Sequence, residues 1–97
     1  MGDGPSIRYV KSDRVVERRI RDEHVLVPLG EGARLDSVYI LDEVAARIWA
    51  EATAGRTLDE IAAALAQGFD VEPATAASDA RRIVAELVEI GALAEAG

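Results

Sequence analysis

The 97-residue sequence has no cysteine, a single histidine and few aromatic side chains, with one tryptophan and one phenylalanine among them. Without thiols neither a disulfide framework nor a thiolate metal site can form, and one histidine with few serines leaves poor material for nucleophilic catalysis. No spacing of His, Asp or Glu fits a zinc site or an EF-hand, and no glycine-rich loop cradles a phosphate. No stretch approaches the roughly 18 apolar residues of a membrane span, and the start, MGDGPSIRYVK, lacks the apolar run of a signal peptide. The chain is therefore expected to be cytoplasmic, to carry no cofactor or metal, and not to act as an enzyme by itself. His24, with no carboxylate at a telling position, is expected to be structural or exposed.

Positive charge is also scarce, and unevenly placed. Residues 1–24 hold six basic and five acidic side chains, while residues 25–97 hold five basic and thirteen acidic, so nearly all of the net charge of −7 lies in the second part. Phosphate backbones and anionic lipid surfaces attract basic faces, so this composition excludes nucleic acid and membrane as favoured partners and points to a protein or peptide ligand.

What is present is one small domain's worth of patterned sequence. Gly2, Gly4 and Pro5 with mixed charges mark residues 1–13 as a flexible N-terminal arm, and residues 14–97 as the domain. Val15–Ile20 reads as a first strand with Glu17, Arg18 and Arg19 on a wet face or an edge. Arg21, Asp22 and Glu23 form a polar turn, and His24–Leu29 reads as a second strand, with Pro28 ending it or lying on an edge. After a turn over Gly30–Arg34, the β-branched and aromatic run Val38, Tyr39, Ile40 makes Asp36–Leu41 a third strand. Links this short permit only antiparallel pairing.

The period changes at Asp42. Ala45, Ile48, Trp49 and Ala52 line one face of a helix that Asp42 can cap, so a strand feeds directly into a helix with Trp49 at their contact. Gly55 sits where a left-handed C-terminal residue is wanted. Thr57 and Glu60 form a capping box for a second helix with an apolar face of Leu58, Ile61, Ala62 and Leu65, stopped by Gly68. Phe69 and Val71 anchor the connection to a third helix, which opens at Pro73 behind the unusual cap Glu72 and runs to about Ile90, before Gly91. Leu93 is expected to fold back. The architecture is thus α+β and winged helix-turn-helix-like: a three-stranded antiparallel sheet followed by three helices.

The third helix carries a wide apolar arc. At about 100° per residue, Ala76, Ala80, Ile83, Leu87 and Ile90 form a core stripe, Ala77, Val84 and Val88 extend it on one side, and Asp79, Arg82 and Glu86 occupy the other flank. Such an arc either packs on two neighbours or leaves one wall of a groove. A winged-helix DNA-binding regulator has the same inventory of elements, but its groove-entering helix would begin Ala74, Thr75, Ala76, Ala77, Ser78, Asp79, with no basic side chain. DNA binding remains the alternative by architecture and is disfavoured by chemistry. A dimerisation module using a free strand edge is a third reading.

With these elements placed, the chain resembles the PqqD-like family, the RiPP recognition elements. The resemblance covers about Val15 to Leu93. It rests on the strand leading into LDEVAARIW (Leu41–Trp49), on GRTLDEIAAAL (Gly55–Leu65), on FDV (Phe69–Val71), and on Asp79, Ile83, Leu87 and Gly91-Ala92-Leu93. The family pattern more often has Asn at Asp42 and Asp at Glu72, and both changes keep a polar cap. The resemblance implies a non-catalytic module that holds the leader segment of a ribosomally made precursor peptide for a modifying enzyme on another chain, such as a radical SAM enzyme, a peptidase or a cyclase. It further implies that the leader adds as a strand along the third strand, at Ser37, Val38, Tyr39 and Ile40, in a groove walled by Asp79, Arg82, Ile83 and Glu86, or by Val84 if the other flank is used.

Overall fold

A computed structural model describes residues 7–29 and 38–96. The described strands are β1 (Tyr9–Lys11), β2 (Val15–Ile20), β3 (Glu23–Pro28), β4 (Tyr39–Leu41) and β5 (Leu93–Glu95), and the helices are α1 (Glu43–Thr53), α2 (Leu58–Gly68) and α3 (Pro73–Glu89). β2, β3 and β4 form an antiparallel sheet in that order, followed by the three helices. The two-residue turn Arg21–Asp22 closes the β2–β3 hairpin, pairing Ile20 with Glu23 and Arg19 with His24. It is one residue shorter than expected from the sequence, because Glu23 joins the strand.

Local chemistry sets the helix starts. Asp42 Oδ1 accepts from the Ala45 amide at 2.8 Å, fixing the first turn of α1 directly after β4. Thr57 and Glu60 make the reciprocal capping box of α2, at 3.2 and 2.9 Å. At α3, Pro73 occupies the first turn and Glu72 makes no side-chain cap. Gly55, at φ 87°, takes the left-handed conformation that ends α1 without steric cost. Gly68 is the last residue of α2, as expected, with Phe69 as the C-cap, and a Cβ there would meet only the flexible end of Arg47, Nη1 at 3.0 Å.

Trp49, Ile48, Leu26, Ile61, Leu65 and Leu87 are the largest side chains withdrawn almost completely from water, and they join the inner face of the sheet to all three helices. Burying such residues contributes roughly 1.5–3 kcal/mol each, which makes this cluster the main source of stability.

The N-terminal segment departs from the expected arm over residues 1–13. β1 pairs with β5, with Tyr9 opposite Glu95 and Lys11 opposite Leu93, and Tyr9 is buried in the core. Arg8 adds a bridge to Thr57 and donates from Nη1 to the Gly55 carbonyl at 2.6 Å. Residues 7–11 are held by partners distant in sequence, in β5 and at the α1–α2 turn. Leu93 does fold back, as the other half of this two-stranded ribbon.

Candidate functional site

β4 lies at the edge of the three-stranded sheet. β3 occupies one of its sides, and the backbone groups of the other side have no strand partner among the described residues. The opposite edge, β2, carries the exposed charges Glu17, Arg18 and Arg19 in succession, a composition that discourages pairing. β4 has the sequence Tyr-Ile-Leu and no such protection.

The pleat and the register divide the side chains of this sheet. Tyr39 and Leu41 share the inner face with Leu26 and His24, while Ile40 lies on the outer face with Val25 and Arg18. From the inner face the Tyr39 hydroxyl reaches α3 and donates to Glu86 Oε1 at 2.7 Å. Arg82 Nη1 donates to the second oxygen of Glu86 at 3.4 Å, and its Nη2 lies 3.7 Å from Asp79. A chain of polar contacts therefore runs from the edge strand along one flank of the helix. Burial, and then the hydrogen bond to the Glu86 carboxylate, pushes the Tyr39 phenol up to about 12, so it stays a donor throughout the neutral range.

These contacts distinguish the two flanks left open by helical periodicity. Val84 is buried in the core, and Glu86 meets β4. Ile83 is also a core residue, 5% exposed, whereas Arg82 is exposed and Asp79 is partly buried. On the strand side, Tyr39 and Val38 are partly buried and Ile40 is 59% exposed. Ser37 lies outside the described residues. The structure thus gathers Tyr39, Arg82, Glu86 and Asp79 into one network, with Ile83 beneath the helix face and Ile40 directed away from it.

His24 does have a carboxylate partner, contrary to the reading from sequence. Its Nε2 contacts Glu17 Oε2 across the hairpin. With the two-residue turn, Arg19 faces His24, so Glu17 falls on the same face one step along. The turn placed one residue too long from sequence concealed this pairing. Burial raises the Glu17 carboxyl, but hydrogen bonds from Trp49 and His24 and the charges of His24 and Lys11 outweigh it and hold the group below the usual carboxylate range. The pair joins β2 to β3 in front of Trp49.

Arg81 and Arg82 are the basic residues of α3, and Arg82 is engaged by Asp79 and Glu86, so the helix presents no free basic stripe to a phosphate backbone. Among the described residues no group of three His, Asp or Glu side chains can hold a metal ion, and no helix is long and apolar enough to cross a membrane. A concavity of about 450 Å³, unforeseen from the sequence, opens where the β2–β3 turn approaches the β4–α1 junction. Arg19, Asp22 and Glu23 line one side, and Ile40, Asp42 and Ala46 the other. Its lining comes from two segments about 20 residues apart in sequence, brought together only by the sheet register.

The family model for coenzyme PQQ synthesis protein D (PqqD) matches residues 23–93. Among solved structures, TbiB1 in complex with the TbiA(beta) leader peptide is similar at 32% identity and a TM-score of 0.72, over 87% of this chain and 93% of that one. Lasso peptide synthetase B1 complexed with the leader peptide shares the fold, with a TM-score of 0.76 at 21% identity over 90% of this chain and 98% of the other. A comparison with curated proteins gave no match.

Proposed function

The chain belongs to the PqqD family, and from that premise we propose that it is a non-catalytic module that binds the leader segment of a ribosomally synthesised precursor peptide. It presents the core of that peptide to a modifying enzyme on another chain. The observation that carries this reading is the unpaired edge of β4 lying beside α3 and tied to it by Tyr39 and Glu86. The neighbours in which a leader peptide is bound share this fold and support the same reading.

In this reading the leader adds as a fourth strand alongside Val38–Leu41 and continues past Ser37. Its inward side chains rest on the Asp79–Arg82–Glu86 flank, with Ile83 as the floor. A strand laid along four residues gains about three or four main-chain bonds at about 1 kcal/mol net each, and ordering a disordered peptide costs about 2–5 kcal/mol. Backbone pairing therefore sets register and direction, while side-chain contacts supply the affinity and the selectivity. Arg82, exposed and in long contacts with Asp79 and Glu86, keeps guanidinium donors free for a leader carbonyl, and the Tyr39 ring offers an apolar surface next to it.

Calorimetric titration of the domain with a synthetic leader, taken from the short reading frame nearest its gene, tests the proposal. Binding that survives an increase in salt from 50 to 200 mM, roughly the range over which nucleic-acid contacts lose orders of magnitude in affinity, is the expected result. Arg82→Glu should weaken it at least fivefold. A leader that does not bind, or binding to duplex DNA with a steep salt dependence, would overturn the proposal.

A further inference from the structure

The free edge of β4 ends abruptly. Past Leu41 the chain turns into α1, and the Asp42 carboxylate is taken up by the Ala45 amide, so a strand laid along β4 runs out of backbone to pair with. The concavity of about 450 Å³ opens at this point, and its size falls within the roughly 300–1,000 Å³ of small-ligand sites. Its walls divide by chemistry. Ile40, Leu41 and Ala46 supply the apolar part, to which Ile40, at 59% exposure, brings a broad surface left to water. Asp22, Glu23, Asp42 and Glu43 bring four carboxylates, against the single guanidinium of Arg19. That guanidinium comes from β2, the strand farthest from the free edge. Asp22, Glu23 and Glu43 are exposed and have no ion-pair partner among the described residues. The concavity is therefore an apolar wall with uncompensated negative charge at its rim, placed where an added strand would leave β4.

We propose that this concavity is a second subsite for the leader, taking a lysine or arginine side chain at the end of the leader strand beside α1. The inference rests on leader addition at β4 as described above. There the leader backbone lies about 5 Å from β4, and its outward side chains stand next to Ile40. The first outward residue beyond Leu41 has no strand beside it. A long basic side chain at that position lays its methylenes on Ile40 and Ala46 and carries its charge to Glu23 and Glu43. An acidic residue would set like charges against each other, and an aromatic one would cover the wall while leaving the carboxylates uncompensated. Ion pairs this exposed contribute modestly, so the subsite selects among leaders more than it holds them. It also fixes register. Main-chain pairing reads no sequence, and a slip of one residue would turn the basic side chain to the opposite face of the strand.

The test uses the synthetic leader from the nearest short reading frame, prepared with Lys and then with Glu at each position in turn. Affinities for the domain are measured by calorimetry at about 0.15 M salt, where exposed charges more than about 8 Å apart are largely screened. One position should favour Lys over Glu at least fivefold, and a nitroxide label attached there should broaden the amide signals of Glu23, Glu43 and Ala46. Glu43→Lys and Glu23→Lys should each lower that preference at least threefold while leaving the other positions within twofold. Asp59→Lys makes the same change of charge at an exposed position in the first turn of α2, and should leave the preference intact. A preference that is equal at every position, that survives both substitutions, or that falls as far in Asp59→Lys overturns the inference, as does broadening elsewhere. A leader that binds in none of its forms removes the proposed function, and this subsite with it.

Discussion

The Tyr39 hydroxyl donates to Glu86 at 2.7 Å and so links an edge strand of three residues to the last turn of a seventeen-residue helix. This bond ties β4 to the flank of α3 that carries Asp79 and Arg82. Tyr39→Phe and Glu86→Gln should each reduce stability by about 1.5–3 kcal/mol, the range for a hydrogen bond to a charged group. Urea denaturation checks the loss. If the bond also sets groove width, both variants weaken leader binding as well; a stability loss with unchanged leader affinity would mean that it is structural alone.

The same pair gives the domain an alkaline limit. A phenol raised to about 12 favours the folded state in its protonated form, so its contribution is complete below the ordinary value of 10.0 and is lost as pH rises towards 12. Glu17 acts at the other extreme: held below its ordinary 4.5, it stabilises the fold above that pH, and the contribution disappears as pH falls through its lowered value. Thermal midpoints should therefore be flat across neutral pH and fall on both sides, and the alkaline decline should shrink in Tyr39→Phe, the remainder coming from Tyr9, whose phenol burial also raises.

Tyr9 separates a folded ribbon from a loose arm. At 6% exposure, and paired with β5, its truncation to Ala should cost about 3 kcal/mol, as for other buried aromatic residues. Denaturant midpoints test this, and a change under 0.5 kcal/mol would restore the arm.

Helix capping and ligand binding should be separable. Thr57→Ala removes one half of the capping box and should destabilise the domain by about 1 kcal/mol, without altering the affinity for a leader. The cap lies at the α1–α2 turn, on neither β4 nor α3.

Much of this was legible in the order of residues. Helix α1 could be read because Ala45, Ile48, Trp49 and Ala52 repeat with helical period behind a capping Asp42, and all four are buried. Helix α2 was equally plain from Thr57 and Glu60. Signals of this kind are local, lying within one or two turns of chain. β1 and β5 were hidden because each is three residues long and gains its partner only from the opposite end of the sequence. The contact of Glu17 with His24 depended on a turn length that composition misplaced by one residue. Periodicity could identify two candidate flanks on α3 but not which of them meets β4, since that contact is made by one hydroxyl on a different element. The exposed Ile20 and Ile40 were likewise invisible as a pair until the register set them on one face.

The most direct measurement of the central claim is a backbone amide NMR titration of the labelled domain with the synthetic leader. Strand addition at β4 predicts large perturbations at Val38–Leu41 and at Asp79, Arg82 and Glu86, with β2 and the α1–α2 turn unmoved. Perturbations confined to β2 or to the opposite flank of α3 around Val84 and Val88, or none at a large excess of peptide, would contradict it.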